Sequence, residues 1–376
     1  MLARFKKMDH LLIGTVLFLA LFGTLMVYSA SFVKGTMDYG SASFFFKRQM
    51  VSLLIGIILM GMAAFFPYKL YGKLTRFMIL TSIVLLLAVL IFGVERNNSQ
   101  RWLSLGPIMI QPTEIIKLMM IIYFASFYAK RQRWIHSFGK GVVPPLVILG
   151  MVFLLVLQQP DLGTASAILI PCGFILLCSG AKFKHILLLG GTAAAGVAYF
   201  AVSESYRMDR LLSFQNPFAN PTGEGYQLVG SYRAIASGGL LGRGLGNSTE
   251  KLGFLPEAHT DFIMAIILEE LGLLGLLVVI GAYMIIMYQG VQIAFKTDDM
   301  FGKLLAIGLT FQIMLQVIFN LGAVSGLLPI TGIPLPFLSY GGSSLIIMLL
   351  SIGVLANISQ YIKYKPFTRK ESPSSN

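Results

Sequence analysis

Charged residues are scarce in this chain, and several of them lie where a long apolar segment begins. Residues 257–261 hold three groups that can transfer protons, Glu257, His259 and Asp261. An unbroken apolar stretch follows Asp261, so its carboxylate lies at the predicted edge of a membrane, where charge is costly and often functional. Such a carboxylate can cap a helix or act as a general base on a hydroxyl group. Three proton-transfer groups exceed what a cap requires, so the pattern favours the base.

Two other charged motifs also open apolar segments. Glu114 and Lys117 are three residues apart, so on a helix they share a face and can pair. The pair either locks helices together or forms the cation-bearing wall of an outward-facing cavity. Asp161 stands at the start of another apolar segment, where aspartate is a common N-cap. Substrate binding is the alternative role for Asp161.

Other motifs show no catalytic pattern. The glycine string at 242–246 follows no predicted strand, so we interpret it as a surface turn rather than a phosphate loop. The spacing around His259 does not suit a metal site. The uncharged segment 331–344 contains Pro334 and Pro336, which prevent ordinary helix. Non-helical backbone at membrane depth must be packed in protein or line a cavity, and we expect this segment to do so near the outer face.

The elements that must hold these motifs are membrane helices. The chain has 376 residues, of which 56% are hydrophobic and only 12% are charged, with a mean hydropathy of +0.77. A soluble protein carries about a quarter charged residues, so membrane lipids must surround most of this chain. Apolar segments of spanning length lie near residues 10–30, 49–66, 75–94, 112–129, 142–158, 163–181, 184–203, 262–290, 302–326 and 342–362. The sequence therefore predicts an all-α polytopic integral membrane protein of about ten transmembrane helices.

One large extracellular loop, residues 204–261, separates the predicted seventh and eighth helices. We expect it to form short amphipathic helices on the outer membrane surface. The net charge of +13 does not indicate a nucleic-acid partner, because the bases lie between apolar runs and concentrate on one side of the membrane. Both termini are therefore predicted to be cytoplasmic. Residues 1–362 form a single transmembrane domain in this interpretation, and residues 363–376 form a disordered polar tail.

Six motifs follow one another along nearly the whole chain. They are Arg101-Trp102-Leu103 with Gln111-Pro112-Thr113-Glu114 and Lys117, then residues 159–163, 225–227, 238–248, 255–262 and 335–344. Together they resemble the SEDS family of bacterial cell-wall proteins, which contains FtsW, RodA and SpoVE. The family usually has serine where this chain has Thr113. The stretches 26–31 and 45–49 are most similar to the FtsW-like branch.

The resemblance implies a peptidoglycan glycosyltransferase in the cytoplasmic membrane of a bacterium. Such proteins polymerise lipid II, a disaccharide-peptide carried on undecaprenyl pyrophosphate, at the outer membrane face. They serve cell division or cell shape and work with a class B penicillin-binding protein, which crosslinks the glycan. The family's essential acid matches Asp261, and its required glutamate and lysine match Glu114 and Lys117. The sequence leaves open whether this copy serves division, elongation or sporulation.

The predicted reaction displaces undecaprenyl pyrophosphate with inversion at the donor sugar. Asp261 is the predicted base that takes the proton of the acceptor 4-hydroxyl, and the leaving pyrophosphate needs cations. The predicted substrate-binding residues are Glu114, Lys117, Asp161, Arg48, Arg101, Arg210, Arg243, Glu257, His259 and Ser343. A divalent cation such as Mg²⁺ or Mn²⁺ is a further candidate that the sequence does not decide.

Two other functions compete with the transferase. A lipid II flippase or transporter would suit ten helices with charges inside the membrane, but transporters often contain paired repeats, and we find none in the sequence. A non-catalytic scaffold that recruits the penicillin-binding protein is the third interpretation. The group of Glu114, Lys117 and Asp261 argues against the scaffold.

Overall fold

Eleven α-helices of 13 or more residues make up most of the part of the chain that the computed structural model describes. The described residues are 7–96, 99–106, 108–202, 208, 213–223 and 225–362. The helices are α1 His10–Tyr39, α2 Phe44–Phe65, α3 Thr75–Phe92, α4 Pro112–Lys130, α5 Val143–Leu157, α6 Leu162–Cys178, α7 Phe183–Val202, α8 Tyr226–Gly238, α9 Ile263–Lys296, α10 Met300–Val324 and α11 Gly342–Gln360. Shorter helical turns lie at Tyr68–Tyr71, Gln132–Trp134, Phe138–Val142, Pro217–Ala219 and Glu250–Leu252.

Ten of these helices coincide with the ten predicted membrane segments. Within the described residues, nine helices are long and apolar enough to cross a membrane, and the tenth, α6, is apolar but has 17 residues. The remaining helix, α8, belongs to the large loop between α7 and α9. The prediction of an all-α polytopic membrane protein is therefore confirmed, whereas the tail at 363–376 lies outside the described residues. We call the side of the molecule that carries the large loop the loop face.

Close contacts between helices depend on glycine. A Cβ added at Gly308 of α10 would lie 2.7 Å from Ile175 Cδ1 on α6 and 3.1 Å from Ile121 Cγ2 on α4. A Cβ at Gly353 of α11 would lie 2.3 Å from Met60 O on α2. Small residues commonly let membrane helices approach in this way. The result is a central group of α4, α6 and α10, with α11 packed along α2.

A small antiparallel sheet lies between α3 and α4, where the sequence analysis identified only a loop. Its strands, in order, are β1 Val94–Arg96, β2 Ser99–Leu105 and β3 Ile108–Ile110. Leu103 pairs with Ile110 across β2 and β3, two residues before α4 begins at Pro112. The sheet therefore fixes where α4 starts. Strands of three residues are too short to display the alternation by which a strand is recognised in a sequence.

The large loop contains a helix, as predicted, but this helix packs on the protein. A Cβ at Gly238, the last residue of α8, would lie only 1.9 Å from Leu268 O of α9. Ser231 Oγ donates a hydrogen bond of 2.7 Å to Val324 O at the end of α10. The part of the loop from 225 onwards thus rests on the ends of α9 and α10.

The segment before α11 is non-helical and buried, as the sequence analysis predicted. Leu335, Phe337 and Leu338 are all buried. A Cβ at Gly23 of α1 would lie 2.5 Å from Leu338 Cα, so a glycine is needed where this segment crosses α1. Protein on all sides satisfies the requirement that irregular backbone in a membrane be packed.

Candidate active site

Two loops meet on the loop face above the central helices. Residues 255–262 lead into α9, and residues 331–341 lead into α11. Tyr340 N donates a hydrogen bond of 2.9 Å to His259 O, which holds the two loops side by side. Two motifs that are distant in the sequence therefore form one surface.

Asp261 lies in this surface, just before α9 begins at Ile263. Its side chain is partly exposed, unlike most of its neighbours. Asn320 Nδ2 of α10 donates hydrogen bonds of 2.8 Å to Asp261 O and 2.9 Å to Ile333 O, which ties both loops to α10. A Cβ added at Gly332 would lie 3.7 Å from Asp261 Oδ2. The carboxylate thus stands at the end of α9 beside a glycine that leaves room for it.

Asp161 caps α6, which confirms the helix-cap alternative. Its carboxylate accepts hydrogen bonds from Thr164 N at 3.0 Å and Thr164 Oγ1 at 2.7 Å. Arg101 Nε of β2 lies 3.1 Å from Asp161 Oδ2, so this predicted pyrophosphate ligand is paired with another predicted site residue. A Cβ at Gly163 would lie 2.7 Å from Thr331 O. The start of α6 therefore borders the loop that approaches Asp261.

Glu114 and Lys117 form an ion pair inside the protein, as their spacing predicted. Lys117 Nζ lies 2.8 Å from Glu114 Oε1, and each side chain is only 3% exposed. Glu114 Oε2 has no hydrogen-bond partner. Gln111 N, at the start of α4, donates a hydrogen bond of 3.2 Å to Ser343 Oγ of α11. Ser343 thus fixes the position of the segment from which the ion pair descends.

The other two proton-transfer groups of 257–261 are held by packing and pairing. The His259 ring is buried between two aromatic rings, with centroid distances of 4.5 Å to Phe45 and 5.6 Å to Tyr340. Glu257 lies 3.8 Å from Lys34 Nζ of α1. Of the three groups, Asp261 has the position best suited to reach a bound substrate.

Comparison with known proteins decides the family. The family model described as a cell cycle protein, FtsW, RodA and SpoVE, matches residues 9–364. The chain belongs to this family. It is 42% identical to "Probable peptidoglycan glycosyltransferase FtsW" of Bacillus subtilis (strain 168), over 98% of this chain and 94% of that protein. It is 40% identical to "Stage V sporulation protein E" of the same organism, over 95% of this chain and 98% of that protein.

Solved structures of the FtsW, RodA and SpoVE family share the fold. The Rod shape determining protein RodA of Thermus thermophilus has a TM-score of 0.70 at 25% identity, over 94% of this chain and 97% of that chain. A chain from a structure described as a peptidoglycan synthase complex that coordinates polymerization and crosslinking has a TM-score of 0.76 at 26% identity, over 95% of this chain and 99% of that chain. The resemblance to SEDS proteins is therefore confirmed, and the curated relatives support the FtsW-like branch.

The cations predicted to bind pyrophosphate lie at different depths in this family member. Arg48 is exposed, with its guanidinium carbon 4.6 Å from the centroid of the Phe44 ring. Arg243 is exposed and lies 3.5 Å from Glu269 Oε1. Arg210 lies outside the described residues. These positions leave the substrate-binding roles of the arginines as predictions.

The sequence analysis missed a second charged network on the loop face. Glu269 and Glu270 of α9 had no neighbouring base in the sequence, yet the large loop supplies one to each. Lys251 Nζ lies 2.6 Å from Glu270 Oε1 and donates a hydrogen bond of 3.0 Å to Ser29 Oγ of α1. Both charged side chains are 1% exposed or less. No sequence pattern indicated these partners, because only the return of the loop onto α9 brings them together.

Proposed function

We propose that this chain is a peptidoglycan glycosyltransferase that polymerises lipid II at the outer face of the cytoplasmic membrane, for cell division or cell shape. The observation that carries the proposal is the partly exposed Asp261 carboxylate at the loop-face end of α9. Membership of the family and the activity printed in the names of curated relatives support it.

Asp261 is the proposed catalytic base. It takes the proton of the acceptor 4-hydroxyl while the hydroxyl oxygen bonds to the anomeric carbon of the donor. Undecaprenyl pyrophosphate leaves with the electrons of the broken bond, and the α-linked donor becomes a β-1,4 link. A positioned general base of this kind contributes roughly 10²–10⁴-fold to the rate. The loop between Thr331 and Gly341 would border the reacting sugars, because it lies against Asp261.

Cations must stabilise the charge of the leaving pyrophosphate. Lys117, Arg48, Arg101, Arg210 and Arg243 remain the proposed candidates. Within the described residues, no group of three or more His, Cys, Asp or Glu side chains is arranged to hold a metal ion. A divalent cation stays part of the proposal, because Mg²⁺ is commonly held by one or two carboxylates together with substrate phosphates.

Orientation and partner belong to the same proposal. The loop face is the outer face, and both termini are cytoplasmic, in agreement with the concentration of Lys and Arg on the opposite side. A class B penicillin-binding protein is the proposed partner. The similar chain from a peptidoglycan synthase complex supports this choice, since that complex is described as coordinating polymerization and crosslinking.

Purified protein in lipid vesicles tests the proposal. Wild-type protein supplied with lipid II and a divalent cation is expected to form glycan strands, and Asp261→Asn is expected to form none. Asp38→Asn, an exposed aspartate near the end of α1, is the matched control and should keep wild-type activity. Normal polymer from a folded Asp261→Asn variant would refute the base assignment. Translocation of lipid II without polymer would establish the flippase instead.

A further inference from the structure

One face of α10 carries buried amides without partners. Gln312 is 2% exposed and Gln316 is 0% exposed, and in both side chains neither Nε2 nor Oε1 has a hydrogen-bond partner. Asn320, one turn further along, has an unpartnered Oδ1, although its Nδ2 binds Asp261 O. Buried polar groups are almost always hydrogen-bonded, so three such residues in succession require an explanation.

Helix packing places the two glutamines at the level of the buried ion pair. Gly308 of α10 contacts Ile121 of α4, and the two helices run in opposite directions. Gln312 lies four residues from Gly308 toward the loop face, and Lys117 lies four residues from Ile121 in the same direction. Each step is about 6 Å along a helix axis, so both side chains stand at the same depth. By the same measure, Gln316 is level with Glu114 to within about 2 Å.

The row of amides also leads to Asp261. A step of four residues advances an α-helix by one turn and rotates it by about 40°. Gln312, Gln316 and Asn320 therefore form a gently winding row that starts beside α4 and ends at Asp261, to whose backbone Asn320 is bonded. Below the row, Gly308 packs against Ile121 and Ile175, which closes the interior with apolar groups.

The unused hydrogen-bonding capacity at this depth is large. The Lys117 ammonium has three donors and one partner, Glu114 Oε1, and Glu114 Oε2 has none. Each glutamine adds two donors and an acceptor. Water is the smallest molecule that can satisfy all of these groups, and a buried water needs two to four polar partners of this kind.

We propose that Gln312, Gln316, Glu114 and Lys117 enclose a water cluster that connects along Asn320 to the loop face and ends blind above Gly308. Gln312 and Gln316 are positioning residues for Lys117 in this arrangement. Because their contacts to the ammonium pass through exchangeable water, the lysine can turn toward a pyrophosphate group without losing its solvation. This role rests on the proposed transferase function, whereas the water path does not.

Access of silver ions to an introduced thiol tests the water path. The background is Cys172→Ala/Cys178→Ala, and the test variant adds Gln316→Cys. The control adds Leu309→Cys, a buried residue of the same helix at the apolar end of the row. Ag⁺ applied to the loop face of vesicles should block later alkylation of the thiol at 316 and leave the thiol at 309 free. An unblocked thiol at 316, or equal blocking of both, would overturn the proposal.

Activity and stability together test the positioning role. Gln312→Leu and Gln316→Leu should keep or raise the unfolding temperature, because replacing an unsatisfied buried polar group by an apolar one of similar size is neutral or stabilising. Polymerisation should fall at least tenfold, in kcat rather than KM, and Gln316→Asn should recover most of it. Leucine variants with wild-type kcat would refute the role. Failure of the wild-type protein to polymerise would instead refute the proposed function and leave the silver result standing.

Discussion

At the scale of single residues, the acidic side chains of the site differ in how fully they are bonded. Asp161 is 2% exposed, and its two oxygens accept bonds from Thr164 and face Arg101, so it is fully occupied as a helix cap. Glu114 keeps one unbonded oxygen. A carboxylate that is already satisfied by its own protein has little capacity left for a ligand. The Glu114–Lys117 pair is therefore the stronger candidate for a direct role than Asp161.

Exchanging the charges of this pair separates its two interpretations. If the pair only locks helices, Glu114→Lys/Lys117→Glu restores it in reverse and should retain activity. If a cation is required at position 117, the exchanged protein folds but forms no polymer, which is the outcome we expect. Lys117→Met alone leaves a buried, unpaired carboxylate, which typically costs about 3–5 kcal/mol of stability. The measurements are lipid II polymerisation and thermal unfolding, and polymer from the exchanged protein would contradict the expectation.

Sequence reasoning worked for residues whose partners are local. The pairing of Glu114 with Lys117 and the cap at Asp161 follow from helical spacing. It could not find Lys251 as the partner of Glu270, because 19 residues and a folded loop separate them. The amide row was missed for another reason. Glutamines within an apolar helix show no pattern until the packing reveals that they are buried without partners.

At the scale of helices, apolar segments located the spans but not their ends. The first apolar segment ends near residue 30, yet α1 continues to Tyr39 and stops at Gly40, which has φ 65°. Hydropathy reports the thickness of the lipid, whereas a helix ends where a cap stops it. The break in α9 at Gly272, with φ 64°, was also invisible, because a close approach of Gly242 N requires it.

The buried Lys251–Glu270 pair should hold the large loop on α1 and α9. Lys251→Met would leave the Glu270 carboxylate buried with Ser29 as its remaining side-chain partner, at a cost of about 3–5 kcal/mol. Lys251→Met/Glu270→Leu removes both charges and should recover much of that loss. Thermal unfolding in detergent measures both variants. A single variant as stable as the wild type would show that the pair does not anchor the loop.

At the scale of the whole molecule, the site lies at one end of a closed bundle. Asp261, the loop 331–341 and the large loop share the loop face, and the interior below the amide row is filled by Ile121, Ile175 and Gly308. A transporter needs a path that can reach both faces. This packing favours an enzyme that receives both lipid-linked sugars from one side of the membrane.

The proposed orientation can be tested with reporters in living bacteria. Ten membrane helices return the C-terminus to the side of the N-terminus, so a fluorescent protein fused after residue 362 should fold in the cytoplasm and fluoresce. Alkaline phosphatase inserted at 218–222, in the large loop between α7 and α8, should be active, because that enzyme requires the oxidising exterior. Phosphatase fused after residue 362 should be inactive and serves as the matched control. The reverse pattern would place Asp261 on the cytoplasmic side, away from lipid II at the outer face, and the transferase assignment would fail.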